Sequence, residues 1–204
     1  DRWLQHSNGG GGIRFYTDHN NKNNSQITMT YASSISIPDD YYGLDGTTIG
    51  IVYDSESLYC TALMQEQAAE GSLHGQDIVK LDTKGYSDRL FIPLDSDITE
   101  WTFHTAGEDN YYLTTEVDGT VKYLTIRDGF AGLSGTPGED SLIRVVPGSG
   151  DHSGFYSFST GGVMLTADGP EGSRFFTGSN ESSPKQWMKL AEKSPLTEDD
   201  YLIY

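Results

Sequence analysis

Short strand-like segments return along this chain with a period of about 42 residues, and a period of that length is a supersecondary unit repeated in tandem. Two consecutive stretches, NYYLTTEVDGTVKYLTIRDGFAGLSGTPGEDSLIRVVPG and GFYSFSTGGVMLTADGPEGSRFFTGSNESSPKQWMKLAE, each read as four strands separated by turn residues. The first four centre on Tyr112, Leu124, Leu133 and Ile143, the second on Tyr156, Leu165, Phe176 and Trp187. Counterparts lie about 41 to 44 residues apart.

An earlier copy is less regular. TTIGIVYD and LYCTALM supply two strands, RLFIPL reads as the third and ITEWTF as the fourth, with Phe91 preceding Leu133, and Trp101 preceding Ile143, by about 42 residues. The first two strands then sit roughly twenty residues too early, which implies an insertion between strands two and three, about Gln65 to Ser87. That stretch holds the best helical candidate, ALMQEQAAEG, and the strand-like DIVKLD. Three four-stranded repeats make an all-β chain of the β-trefoil type, a six-stranded barrel capped by three hairpins about a pseudo-threefold axis. Barrel closure removes sheet edges, so a modest core suffices. Trp101, Ile143 and Trp187 are expected at one equivalent position, the fourth strand, buried together as core.

The core has to be thin. Hydrophobic residues make up 35% of 204, but thirteen Tyr, eight Phe and three Trp supply large apolar surfaces. Thirteen Lys and Arg oppose thirty Asp and Glu, a formal charge of −17. Nucleic-acid binding needs a basic footprint and is excluded on that ground, and an anionic membrane would repel the chain. No apolar run reaches membrane-spanning length, so direct membrane insertion is not expected. Cys60 is the single cysteine; it leaves no intrachain disulfide, and its alternating apolar setting predicts a buried inert thiol.

Three parts are expected. Residues 1–42 form an N-terminal β-hairpin and linker, with IRFYTDH and SQITMTYAS as its strands around HNNKNNS; residues 43–194 form the trefoil; residues 195–204 form an acidic tail toward a next module. The start at Asp1 and the end in TEDDYLIY read as cuts through a longer polypeptide.

No constellation for chemistry stands out. His6, His19, His74, His104 and His152 are scattered, without metal-ligand spacing on one element, and no G-x-S-x-G elbow surrounds a serine. DHNNKNNS opens like a calcium loop, but Lys22 takes a ligand position and Asn23 stands where the sharp turn needs glycine. No cofactor and no metal site are expected. An internal Lys–Asn isopeptide bond would need a buried Lys, an Asn and a carboxylate together, which a sequence does not display.

KQW, from Lys185 to Trp187, resembles in shifted form the Gln-x-Trp signature of ricin B-type lectin repeats. The Asp, stacking aromatic and Asn or Gln of a sugar pocket in those lectins cannot be assembled here in any repeat. LDGTTIGIVYD, SDITEWTFHTAGEDNYYLTTEVDGTVKYLTI, LIRVVPGSG and QWMKLAEKSPLTEDDY resemble, over most of residues 43–204, modules of large wall-anchored surface proteins of intestinal Firmicutes. That resemblance implies an extracellular, adhesin-like module on a bacterial cell surface, anchored to the wall through regions outside this sequence. Some proteins of that kind bind immunoglobulin variable regions as B-cell superantigens, so the implied partner is a host protein such as immunoglobulin, or a host glycan.

The expected function is therefore non-enzymatic binding by a monomeric module of a longer chain. A structural spacer is the alternative, and a glycan-acting enzyme the least supported reading. The largest break in the repeat symmetry is the expected contact surface, and His74, Gln76, Lys80, Tyr86 and Arg89 there are the candidate partner-binding residues.

Overall fold

The computed structural model describes residues 3–6, 13–16, 43–55, 58–81 and 90–193. The chain divides into two units, Asp1–Asp39 and Asp40–Tyr204. In the first, β1 (Trp3–His6) pairs antiparallel with β2 (Ile13–Tyr16). The described partner of IRFY is the preceding WLQH; SQITMTYAS, the partner expected from the sequence, lies outside the described residues.

The second unit carries thirteen strands in one sheet: β3 (Thr48–Asp54), β4 (Tyr59–Ala69), β5 (Ser72–Val79), β6 (Leu90–Ile92), β7 (Glu100–Gly107), β8 (Asn110–Val117), β9 (Thr120–Arg127), β10 (Phe130–Ser134), β11 (Ile143–Pro147), β12 (Tyr156–Thr160), β13 (Val163–Asp168), β14 (Phe175–Ser179) and β15 (Met188–Lys193). Six of them close a ring. β3 pairs with β7, β7 with β8, β8 with β11, β11 with β12, β12 with β15, and β15 returns to β3, every pair antiparallel. The other strands of the repeats form three hairpins, β4–β5, β9–β10 and β13–β14. This is a β-trefoil, and its topology follows from turn chemistry together with period-two alternation. Asp118 and Gly119 between β8 and β9 both have positive φ, as do Gly161 and Gly162 between β12 and β13, the conformation of two-residue hairpin turns.

Register makes the threefold relation explicit. Ile49 faces Trp101, Tyr111 faces Ile143, and Tyr156 faces Met188; one step on, Phe103 faces Leu113, Val145 faces Phe158, and Leu190 faces Ile51. All twelve side chains are buried. The fourth-strand position is thus Trp101, Ile143 and Met188. Trp187 is one residue out of phase and half-buried, because a 3-10 turn (Pro184–Gln186) ends on it and the strand starts only at Met188. Met188→Ala should therefore cost at least about 2 kcal/mol and Trp187→Ala less than half of that, read from denaturant midpoints; the reverse order would refute this phase.

The first repeat differs from its sequence reading. ALMQEQAAEG is no helix: it continues β4, since its partner β5 lies directly across the Glu70–Gly71 turn. DIVKLD is in large part the end of β5, which is the repeat's true third strand. RLFIPL is an added strand, with β6 running parallel to β15 and bridged through Phe91 to Leu81. The insertion thus falls between strands three and four, within about Lys80 to Thr99. It brings a core of its own, as Leu90, Ile92 and Ile98 pack with Val52, Cys60, Ala62, Met64, Ile78 and Ala191.

Candidate functional site

The expected contact residues do not gather on one loop. His74 and Gln76 lie along β5, His74 exposed and opposite Phe175, Gln76 half-buried and opposite Ala62. Lys80, just beyond β5, is held by Asp54. Tyr86 and Arg89 lie outside the described residues.

What the insertion does build is a groove. The segment leading into each fourth strand carries one buried polar residue at the same phase: Thr99, Ser141 and Gln186. In the second and third repeats that residue closes its own 3-10 turn. Ser141 Oγ accepts from Gly138 N at 3.4 Å, and Gln186 Oε1 accepts from Ser183 N at 3.2 Å. In the first repeat the lead-in arrives from the insertion with no such turn, and Thr99 Oγ1 accepts instead from Gln65 N of β4 at 2.9 Å. Where Thr160 of the third repeat donates its hydroxyl to the Glu139 carbonyl of the second repeat's 3-10 turn at 3.1 Å, its counterpart Thr115 donates to the Gln65 side chain at 3.2 Å.

Removing the turn leaves a groove of 460 Å³ between β4, the Asp97–Glu100 lead-in and the β8–β9 hairpin. Five threonines line it (48, 99, 102, 114 and 115), together with Gln65 and the carboxylates of Glu66, Asp97, Glu100 and Glu116. Thr48 and Thr102 share a hydrogen bond of 2.8 Å, and Thr114 one of 2.9 Å with His104 Nε2. Among the described residues neither Lys nor Arg lines the groove, and none of its four carboxylates forms an ion pair. Hydroxyl, amide and carboxylate oxygens here form a dense set of acceptors with rotatable donors between them.

A second polar cluster serves stability. The Asp54 carboxylate receives Lys80 Nζ at 2.6 Å and Lys189 Nζ at 2.8 Å, and only 9% of its side chain is exposed. Burial alone would raise the Asp54 pKa; the hydrogen bonds and charges of Lys189 and Lys80 outweigh it and hold the carboxyl below its ordinary range. Amide formation would need a protonated carboxyl and a neutral amine, so this geometry is that of an ion pair and not of an isopeptide bond. A carboxylate with a depressed folded pKa contributes stability present above its unfolded value of about 3.9 and lost as pH falls through the folded value. Denaturant midpoints of the parent chain should therefore fall below about pH 4 by more than those of Asp54→Asn; parallel profiles would refute the assignment.

Beside this pair, Lys189 Nζ lies 4.6 Å above the Phe155 ring, and His152 stacks on Trp187 with centroids 4.5 Å apart. Trp187 thus closes the loop ahead of β12 instead of filling the barrel. Cys60 is fully buried, its thiol pushed up to about 12 chiefly by burial, with the Asp54 charge adding to the rise, which makes it a poor nucleophile. Among the described residues no group of three His, Cys, Asp or Glu side chains is placed to hold a metal ion.

Among solved structures, the chain is similar to a designed threefold-symmetric protein, ThreeFoil. Identity is 20% and the TM-score 0.48, with 72% of this chain and 99% of that one covered. No family model matches the chain, and no curated protein matches it. The trefoil assignment rests on the closed ring of strands described above.

Sequence reasoning missed the groove because its walls come from residues far apart in the chain. The local signal was Ser96-Asp97-Ile98, which has no proline or glycine, at the place five residues before the fourth-strand residue where the other repeats carry GED at Gly138 and SPK at Ser183.

Proposed function

We propose that this chain is a non-catalytic recognition module of a bacterial cell-surface protein, and that its ligand is a host molecule held in the first-repeat groove. The observation that carries the reading is the groove itself, a concave polar site created where the repeat symmetry breaks. Its volume falls in the roughly 300–1,000 Å³ range of ligand pockets. The resemblance of LDGTTIGIVYD, SDITEWTFHTAG and QWMKLAEKSPLTEDDY to wall-anchored surface modules supports the extracellular setting.

Among the described residues only one groove hydroxyl is hydrogen-bonded to a base, Thr114 to His104 Nε2, and that threonine is buried; the other side chains are hydroxyls and oxygen acceptors. Binding by oriented hydrogen bonds is what such a lining does well. The test is capture from serum and from mucus by the immobilised chain, compared with Thr102→Arg. That half-buried position faces the groove, and the longer side chain would fill it. Capture should fall at least about tenfold with the melting temperature within a few degrees of the parent. Equal capture by both proteins would remove the groove from the reading, and no capture by either would leave a spacer.

A further inference from the structure

We infer that the groove selects an uncharged, hydroxyl-rich ligand, a neutral glycan terminus, and rejects acidic sugars. The inference rests on the recognition reading and narrows it. The site is a 460 Å³ concavity, within the roughly 300–1,000 Å³ range of small-ligand pockets and the size of a small group inserted end-on.

The chemistry of the walls then separates the small ligands. Thr115 donates to Gln65 Oε1 and Thr102 shares one hydrogen bond with Thr48, which leaves the Thr115 and Thr102 oxygens as acceptors and the Gln65 amide nitrogen as donor, so the groove can satisfy a ligand that itself donates and accepts at neighbouring atoms. A sugar ring with adjacent hydroxyls is such a ligand. The carboxylates accept from hydroxyls in charge-assisted bonds, which are stronger than neutral ones. Val121, 52% exposed at the rim, and the buried Ile98 give apolar surface for the C–H face of a ring.

An anion meets the opposite situation. A sialyl or sulfate group would enter among Glu66, Asp97, Glu100 and Glu116 with no Lys or Arg among the described residues of the lining to receive it, inside a chain of formal charge −17. The charge that repels acidic sugars is thus the same set of groups that binds hydroxyls. This site also differs from an Asp, aromatic and amide trio within one repeat, because its described walls come from two repeats and contain no aromatic ring.

The test uses host mucin glycans released chemically and split by anion exchange into neutral and acidic pools. Each pool is titrated into the isotope-labelled 204-residue chain and into Thr115→Val, with amide shifts recorded. The neutral pool is expected to move the amides of Thr99, Thr102, Thr114 and Thr115, the acidic pool to leave them in place, and Thr115→Val to weaken the response about tenfold. Shifts confined to other surfaces, equal response to both pools, or no response to the neutral pool would overturn the inference. If the glycans fail while Thr102→Arg still abolishes capture of a host protein, recognition by the groove stands and only the glycan assignment falls. If Thr102→Arg changes nothing, both fall.

Discussion

Trp101→Ala should lower the stability of the trefoil by about 4–5 kcal/mol, the upper part of the range for deleting a large aromatic from a core. Trp101 is fully buried on β7 and leads the largest side chains of the interior. Its indole also donates to the Leu63 carbonyl of β4 at 3.2 Å, tying a barrel strand to a capping hairpin. Alanine would therefore leave a cavity at the junction of two layers and take away a buried donor. For a domain of this size the melting temperature should fall by roughly 10–15 °C, measurable by calorimetry. A loss under about 1 kcal/mol would mean that Trp101 does not anchor the first repeat.

The second large effect lies at a residue without a side chain. A Cβ built on Gly178 of β14 would lie 2.0 Å from the Arg127 carbonyl oxygen and 2.8 Å from that of Phe130. Here the hairpins meet through backbone: Gly129 N donates to the Gly178 carbonyl, Ala131 N to Gly71, and Gly75 N to Arg174. Backbone cannot swing aside as a side-chain end can, so Gly178→Ala should cost at least about 3 kcal/mol, above the common 1–3 kcal/mol for overpacking. Gly119→Ala provides the contrast, because nothing lies within 4 Å of its Cβ and only its φ of +70° penalises the change, by about 1–2 kcal/mol. Equal losses at the two glycines would show that the hairpins do not meet as closely as their geometry demands.

Much of the architecture was legible because it is written more than once. Strands β8 to β14 lie where their period and alternation put them, and Asp118-Gly119 and Gly161-Gly162 turn where their chemistry allows. The first repeat misled for a physical reason. Gln65 to Gly71 has helix-forming composition, but β5 lies opposite it and pairs with its backbone, and tertiary pairing overrides local propensity. Leu90 to Ile92 has the look of a third strand, yet β5 already fills that place, and the segment pairs alongside β15. Trp187 misled by a single residue, because a three-residue 3-10 turn shifts the phase in a way that spacing alone does not reveal.

From its residues alone the chain determined that it is all-β, that its unit recurs three times, and that it carries a formal charge of −17, since periodicity and charge are properties of the sequence itself. Which glycines must stay bare, that two lysines share Asp54, and that a groove opens beside Thr99 and Thr115 were decided only by the closed barrel. Each of these depends on atoms brought within a few ångströms from distant parts of the chain, and the closing of the ring sets those distances.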